Sequence, residues 1–127
     1  MTNSASDPPR LIDTKKLAQE LEQFATDRNW SQFHSPKNLV MALTGEVGEL
    51  SEIFQWMSEA DSMKAGQNPA TAQDVKDELA DVLLYLVRLA FVLNVDLNEA
   101  VAQKIKANEQ KYPVANSFGV STKYNKK

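Results

Sequence analysis

The chain has 127 residues, 43% apolar and 24% charged, enough for one globular domain that buries roughly two-thirds of its unfolded surface. A net charge of -3 leaves no electrostatic footprint for duplex nucleic acid, although an acidic protein can hold a polyphosphate once metal ions reverse the local charge. Cysteine is absent, which excludes disulfides and thiolate metal sites and is compatible with a reducing cytoplasm.

The opening "MTNSASDPPR" has neither a positive n-region nor an apolar h-region, so no signal peptide or anchor is expected in it. Its composition predicts a disordered lead over residues 1–13. A first helix is predicted from about Thr14 to Arg28, with Leu17, Leu21, Phe24 and Ala25 at helical spacing. The aromatic connector "NWSQFHSP" follows. Ser35 then offers an N-cap and Pro36 a first helical residue, opening a helix that runs to about Ser58. "EADSMKAGQNP" breaks the periodicity and is expected to be a mobile loop. Thr71 with Asp74 has the spacing of a capping box for a third helix to about Leu93. Asp96 with Glu99 opens a fourth, which ends near Lys111, just before Pro113. Residues 113–127 form an aperiodic tail with a basic end. The expected fold is all-α, one four-helix domain over residues 14–112. The apolar run from Val82 to Val95 is interrupted by Tyr85, Arg88 and Asn94 and is too short to span a bilayer. A soluble, cytoplasmic protein without a membrane partner is expected.

The second helix poses a chemical question in "GEVGELSEIFQW", where Glu46, Glu49 and Glu52 recur every three residues. On a helical wheel Leu39, Val40, Leu43, Val47, Leu50, Phe54 and Met57 share one face, and Glu46 sits at its edge between Ile53 and Met57. An isolated E-x-x-E is most often a solvated helix face. The third helix, "KDELADVLLYLVRLAFVL", changes that balance. Beyond Asp81 it is apolar nearly all round, yet Glu78, Asp81 and Tyr85 occupy one narrow arc. Unpaired ionised carboxylates in such a setting cost several kcal/mol each, so they require cations. Arg88 can pair with one of them and cannot neutralise four. Mg²⁺, a hard ion that takes carboxylate oxygens and bridges to phosphates, fits the ligand set. A di-iron bundle uses Glu-x-x-His, and zinc favours histidine or cysteine; the only histidine here is His34, in the connector.

Together "GEVGELSEIFQW" and "DELADVLLYLV" resemble the E-x-x-E … E-x-x-D signature of the MazG-like all-α nucleoside triphosphate pyrophosphohydrolases. The likeness extends to "RNWSQFHSPKNLVMAL", "VDLNEAV" and "KYPV", covers about residues 14–124, and is greatest for the dCTP pyrophosphatase branch. It implies hydrolysis of a (deoxy)nucleoside triphosphate, dCTP or a modified dCTP, to the monophosphate and pyrophosphate with Mg²⁺ or Mn²⁺. By the same resemblance Glu46, Glu49, Glu78 and Asp81 match metal-binding carboxylates. Trp30, Ser31, Gln32, Phe33 and His34 match the segment that embraces the nucleoside, and Trp56 and Tyr85 match further nucleotide contacts. One departure stands out: Leu21 occupies the position of a substrate-binding histidine in that branch, so reaction type follows more directly than base preference.

Either Glu49 or Glu52 can orient or deprotonate the attacking water. Lys104, Asn108 and Lys111 lie along one side of the fourth helix, where a solvated face is the default and a phosphate-contacting stripe the alternative. The apolar third helix predicts association, and the resemblance implies a homotetramer, a dimer of dimers, with sites completed across subunits. The rival reading, from another class, is a catalytically silent helical module that binds nucleotide or partners through the same surface.

Overall fold

The computed structural model describes residues 11–123, and all regular structure among them is helical. Contacts divide the chain into two units. One comprises Thr14–Val95, and the other comprises Met1–Asp13 with Asp96–Lys127.

The Thr14–Val95 unit contains α1 (Lys15–Asp27), a 3-10 turn (Ser31–Phe33), α2 (Pro36–Phe54), the short α3 (Glu59–Ser62) and α4 (Ala72–Val92). The start of α2 follows from local chemistry: the Ser35 hydroxyl accepts from the Asn38 N–H at 3.1 Å, and Pro36 supplies a preset φ where no N–H is needed. Two helices end by the same device. Asn29 after α1 and Asn94 after α4 both adopt the left-handed conformation, with φ of 55° and 57°. In each, the asparagine's own N–H and the one after it fold back onto orphan carbonyls: Asn29 and Trp30 donate to Thr26 and Ala25, and Asn94 and Val95 donate to Phe91 and Ala90. These are Schellman closures, with asparagine in the place glycine usually takes. The first of them sets the chain direction into Trp30.

The anticipated capping box at Thr71 does not form. The Thr71 hydroxyl makes no cap bond and instead reaches the Ala65 carbonyl at 2.7 Å, because Ala65 is buried and its carbonyl needs a donor. The intervening segment, read as a mobile loop, carries a helical turn of its own. Ser58, expected inside α2, caps that turn by accepting from the Asp61 N–H. Helix α2 accordingly stops at Phe54.

The most extensive packing is α2 along α4, and α1 also rests on α4. Leu39, Val75, Val87, Ala25, Ala90 and Ala65 are buried. The predicted apolar faces are only partly used. On α2, Leu39 is buried and Leu43, Leu50 and Phe54 are half-buried, but Val40 and Val47 are exposed. On α4, Val87 is buried, whereas Leu79, Leu83, Leu86 and Phe91 are exposed. Phe24, placed at core spacing on α1, is exposed as well and meets Trp30 edge-on at 5.7 Å. A pair of helices shields only the side where they touch, so the outer apolar stripes stay bare.

The second unit contains α5 (Leu97–Lys111) and α6 (Val114–Ser117). Asp96 caps α5 as expected, accepting from the Glu99 N–H at 3.1 Å. Asn98 uses its side-chain carbonyl to accept from the N–H groups of Leu11 (2.9 Å) and Ile12 (3.1 Å). The rest of the anticipated disordered lead, residues 1–10, and the basic end of the tail, residues 124–127, lie outside the described residues. Among the described residues no helix is long and apolar enough to cross a membrane.

Candidate active site

The α2–α4 pairing brings E-x-x-E and E-x-x-D together. Glu46 and Glu49 of α2 and Glu78 of α4 each offer a carboxylate oxygen, and these oxygens lie within 4.8 Å of one another. Glu46 and Glu78 are half-buried, and Glu49 is exposed. The remaining predicted ligand, Asp81, stands one turn after Glu78 on α4, half-buried and outside this group of three. It is near enough for its charge to act on Glu46.

The electrostatics are those of crowded anions. Glu78 shares a hydrogen bond with Glu46, is partly desolvated and faces Glu49, and its carboxyl is pushed up to about 7. For Glu46 the bond with Glu78 pulls downward, but burial and the neighbouring Glu49 and Asp81 outweigh it, and the net direction is up. One oxygen on each, Oε2 of Glu46 and Oε2 of Glu78, is buried with no hydrogen-bond donor. Only a shared proton or a cation relieves such a pair. The donor set is all oxygen and matches a hard divalent ion. The residues fit the implied group.

Beside the cluster lies an open cleft of about 380 Å³ lined by Glu49, Glu52, Ile53, Asp74 and Glu78. Glu52, one turn after Glu49, is part of its wall. Asp74 was considered only as half of a capping box. Its place in the cleft follows from α4 starting beside α2, which no local pattern signals.

The aromatic residues are distributed around exposed surface. Trp30, Ser31, Gln32 and Phe33 are exposed, and His34 is half-buried. The 3-10 turn holding them is pinned at both ends: Gln32 donates its side-chain amide to the Asn29 carbonyl (2.9 Å), and Asn38 donates to the Phe33 carbonyl (3.0 Å). Trp56 is 89% exposed in the turn after α2, so it takes no part in the core. Tyr85 is half-buried on α4, one turn after Asp81. Lys104, Asn108 and Lys111 run along α5 in the other unit, the first two exposed and Lys111 half-buried.

Arg88 does not join the acidic cluster. It is buried, and its guanidinium bonds Glu22 of α1 (2.6 Å) and the His34 ring nitrogen Nδ1 (3.0 Å). Sequence reasoning missed Glu22, because its charged partner Arg88 is 66 residues away and no local pattern links them.

Residues 42–126 match the model of the MazG-like family. The chain is 47% identical over 121 residues to dCTP pyrophosphatase 1 of Rattus norvegicus, an alignment covering 95% of this chain and 69% of that protein. It is 44% identical over 121 residues to the Homo sapiens protein of the same name, with 95% and 69% covered. The fold superposes on the crystal structure of a pyrophosphatase from Archaeoglobus fulgidus with a TM-score of 0.74 and 36% identity, covering 85% of this chain and 99% of that one. With a family match that takes in Glu46, Glu49, Glu78 and Asp81, and relatives 44–47% identical over most of its length, the chain belongs to the MazG-like family.

Proposed function

We propose that this protein is a nucleoside triphosphate pyrophosphohydrolase, acting on dCTP or a modified dCTP and releasing the monophosphate and pyrophosphate. The observation that carries the reading is the carboxylate cluster itself. Glu46, Glu49 and Glu78 converge within 4.8 Å, with two buried oxygens that lack a donor, beside an open cleft. The names of the relatives give the substrate class.

In the proposed site Glu46, Glu49, Glu78 and Asp81 hold Mg²⁺, or Mn²⁺ in its place. A divalent cation bound there supplies positive charge to the phosphate oxygens and to both the entering and leaving oxygens of the displacement. The protein's own part is to orient and to move a proton. A water attacks the α-phosphorus, the bond to the bridging oxygen breaks, and pyrophosphate leaves with that oxygen. The water's proton passes to a carboxylate of the cleft wall, Glu49 or Glu52. Trp30, Phe33, His34 and Trp56 enclose the nucleoside, with Ser31, Gln32 and Tyr85 as further contacts; exposed aromatic rings are what a base needs for stacking.

The reading extends to assembly. The bare stripe of Leu79, Leu83 and Leu86 on α4, with Val40 and Val47 on α2, supports association into a homotetramer. In that assembly Lys104, Asn108 and Lys111 add positive and polar groups to phosphates held by another subunit. A cytoplasmic location is consistent with the absence of cysteine.

The deciding experiment is a panel of the common deoxynucleoside and nucleoside triphosphates with Mg²⁺, products identified by chromatography. Formation of dCMP and pyrophosphate from dCTP, lost in Glu49→Gln, is expected. Nucleotide binding without any hydrolysis would replace this reading by the silent binding module.

A further inference from the structure

The buried guanidinium of Arg88 is the one strongly charged group inside the Thr14–Val95 unit that the reaction above does not use. Its Nη1 donates to Glu22 at 2.6 Å and its Nε donates to Nδ1 of His34 at 3.0 Å. The three residues come from three elements: α1, the residue closing the 3-10 turn, and α4. A guanidinium has donors only, so the nitrogen that receives its bond must present a lone pair. With Nδ1 so occupied, the imidazole is neutral and its proton sits on Nε2. Protonating Nδ1 would break the bond to Arg88 and set two cations against each other. The charged groups facing the ring are Arg88 and Glu22. Burial and Arg88 hold the His34 pKa below its usual value, and Glu22 opposes them only in part. Glu22, lowered by its bond to Arg88, stays ionised and keeps the buried guanidinium neutralised.

We infer that Glu22 and Arg88 are positioning residues that lock His34 as an Nε2–H donor, and that this donor reads an acceptor atom of the pyrimidine base. The inference rests on the pyrophosphohydrolase reading and deepens it. Its placement argument is that His34 follows directly on Trp30–Phe33, the exposed aromatic segment, and remains half-buried with one ring nitrogen already engaged. A ring fixed as a donor matches a carbonyl or an unprotonated ring nitrogen and is left unpaired opposite an N–H. Such mismatches discriminate more strongly than apolar contacts do.

The chain has a single histidine, so the two imidazole nitrogens of the ¹⁵N-labelled full chain can be read without ambiguity. At pH 7 Nδ1 should resonate as a lone-pair nitrogen and Nε2 as a protonated one. Saturation with α,β-imido-dCTP should shift the Nε2–H resonance. Arg88→Met should yield mixed tautomers and raise KM for dCTP about three- to tenfold with kcat little changed, whereas a purely structural role would lower Tm and leave tautomer and KM alone. If Arg88→Met does not fold, the wild-type measurements decide by themselves. An imidazole protonated on Nδ1 at pH 7, or an Nε2–H indifferent to bound analogue, overturns the inference. If the analogue binds and shifts Nε2–H while no triphosphate is cleaved, the hydrolase reading fails and the base-reading role of His34 stands.

Discussion

Glu78 is the residue in which the site's chemistry is most concentrated. Its carboxyl is pushed up to about 7 because Glu46 and Glu49 crowd it, whereas in an unfolded chain it would titrate near the ordinary glutamate value of 4.5. Between those two values the folded state binds more protons than the unfolded one, so stability falls as pH rises. Metal-stripped protein should therefore show a Tm that declines from pH 5 to pH 8, and added Mg²⁺ or Mn²⁺ should recover it most at pH 8. Scanning calorimetry with and without the ion checks this, and Glu78→Gln should flatten the metal-free profile. Glu49→Gln or Asp81→Asn should retain helicity while lowering turnover by orders of magnitude. The test for Asp81 is the sharper one, because it stands outside the three-carboxylate group. Trp56 gives the cleanest separation of binding from folding. At 89% exposure its loss should leave Tm almost unchanged, while KM rises by about 5- to 160-fold if stacking is worth about 1–3 kcal/mol.

Helix ends, rather than helix interiors, aim the site. The Schellman closure at Asn29 turns the chain from α1 into the aromatic segment, and Ser35 then starts α2, the helix that sets Glu46 and Glu49 near Glu78. Much of this was legible. Ser35, Pro36 and Asp96 have local side-chain signatures that work over three residues, and the structure follows them. Thr71 has the same signature and fails it, since a buried carbonyl six residues away competes for its hydroxyl. Asn29→Gly should be close to neutral, because glycine accepts the left-handed conformation without strain. Asn29→Ala should cost about 1–2 kcal/mol in denaturant unfolding, the penalty for an L side chain at φ of 55°. If the closure also aims Trp30, the alanine variant should raise KM as well.

At the scale of the whole molecule the unfinished business is apolar surface. Leu83 and Leu86 on α4 and Met41 and Val47 on α2 are large, apolar and exposed in a chain of 14.2 kDa. Light scattering at micromolar concentration should give about four times that mass. Leu83→Glu should lower it by charging the stripe, at little cost within one copy because Leu83 is already exposed. Mixed Glu49→Gln and Lys111→Ala subunits, each inactive alone, should regain partial activity if sites are shared between copies. A mixture that exchanges subunits and stays inactive would limit the site to one chain.

The sequence by itself determined the helical class, the E-x-x-E and E-x-x-D spacings and the family, because periodicity, caps and motif spacing act over a few residues and survive without neighbours. It also determined that the metal, if bound, must be hard, since no cysteine and one connector histidine leave only oxygen ligands. Tertiary structure alone decided which carboxylates converge, that Asp74 faces the cleft, that Trp56 is exposed, and that Arg88 leaves the acidic cluster for Glu22 and His34. Those outcomes depend on how α1, α2 and α4 are set against one another. A charge finds its partner by distance through space, and 54 or 66 residues of chain separate Arg88 from the two groups it binds.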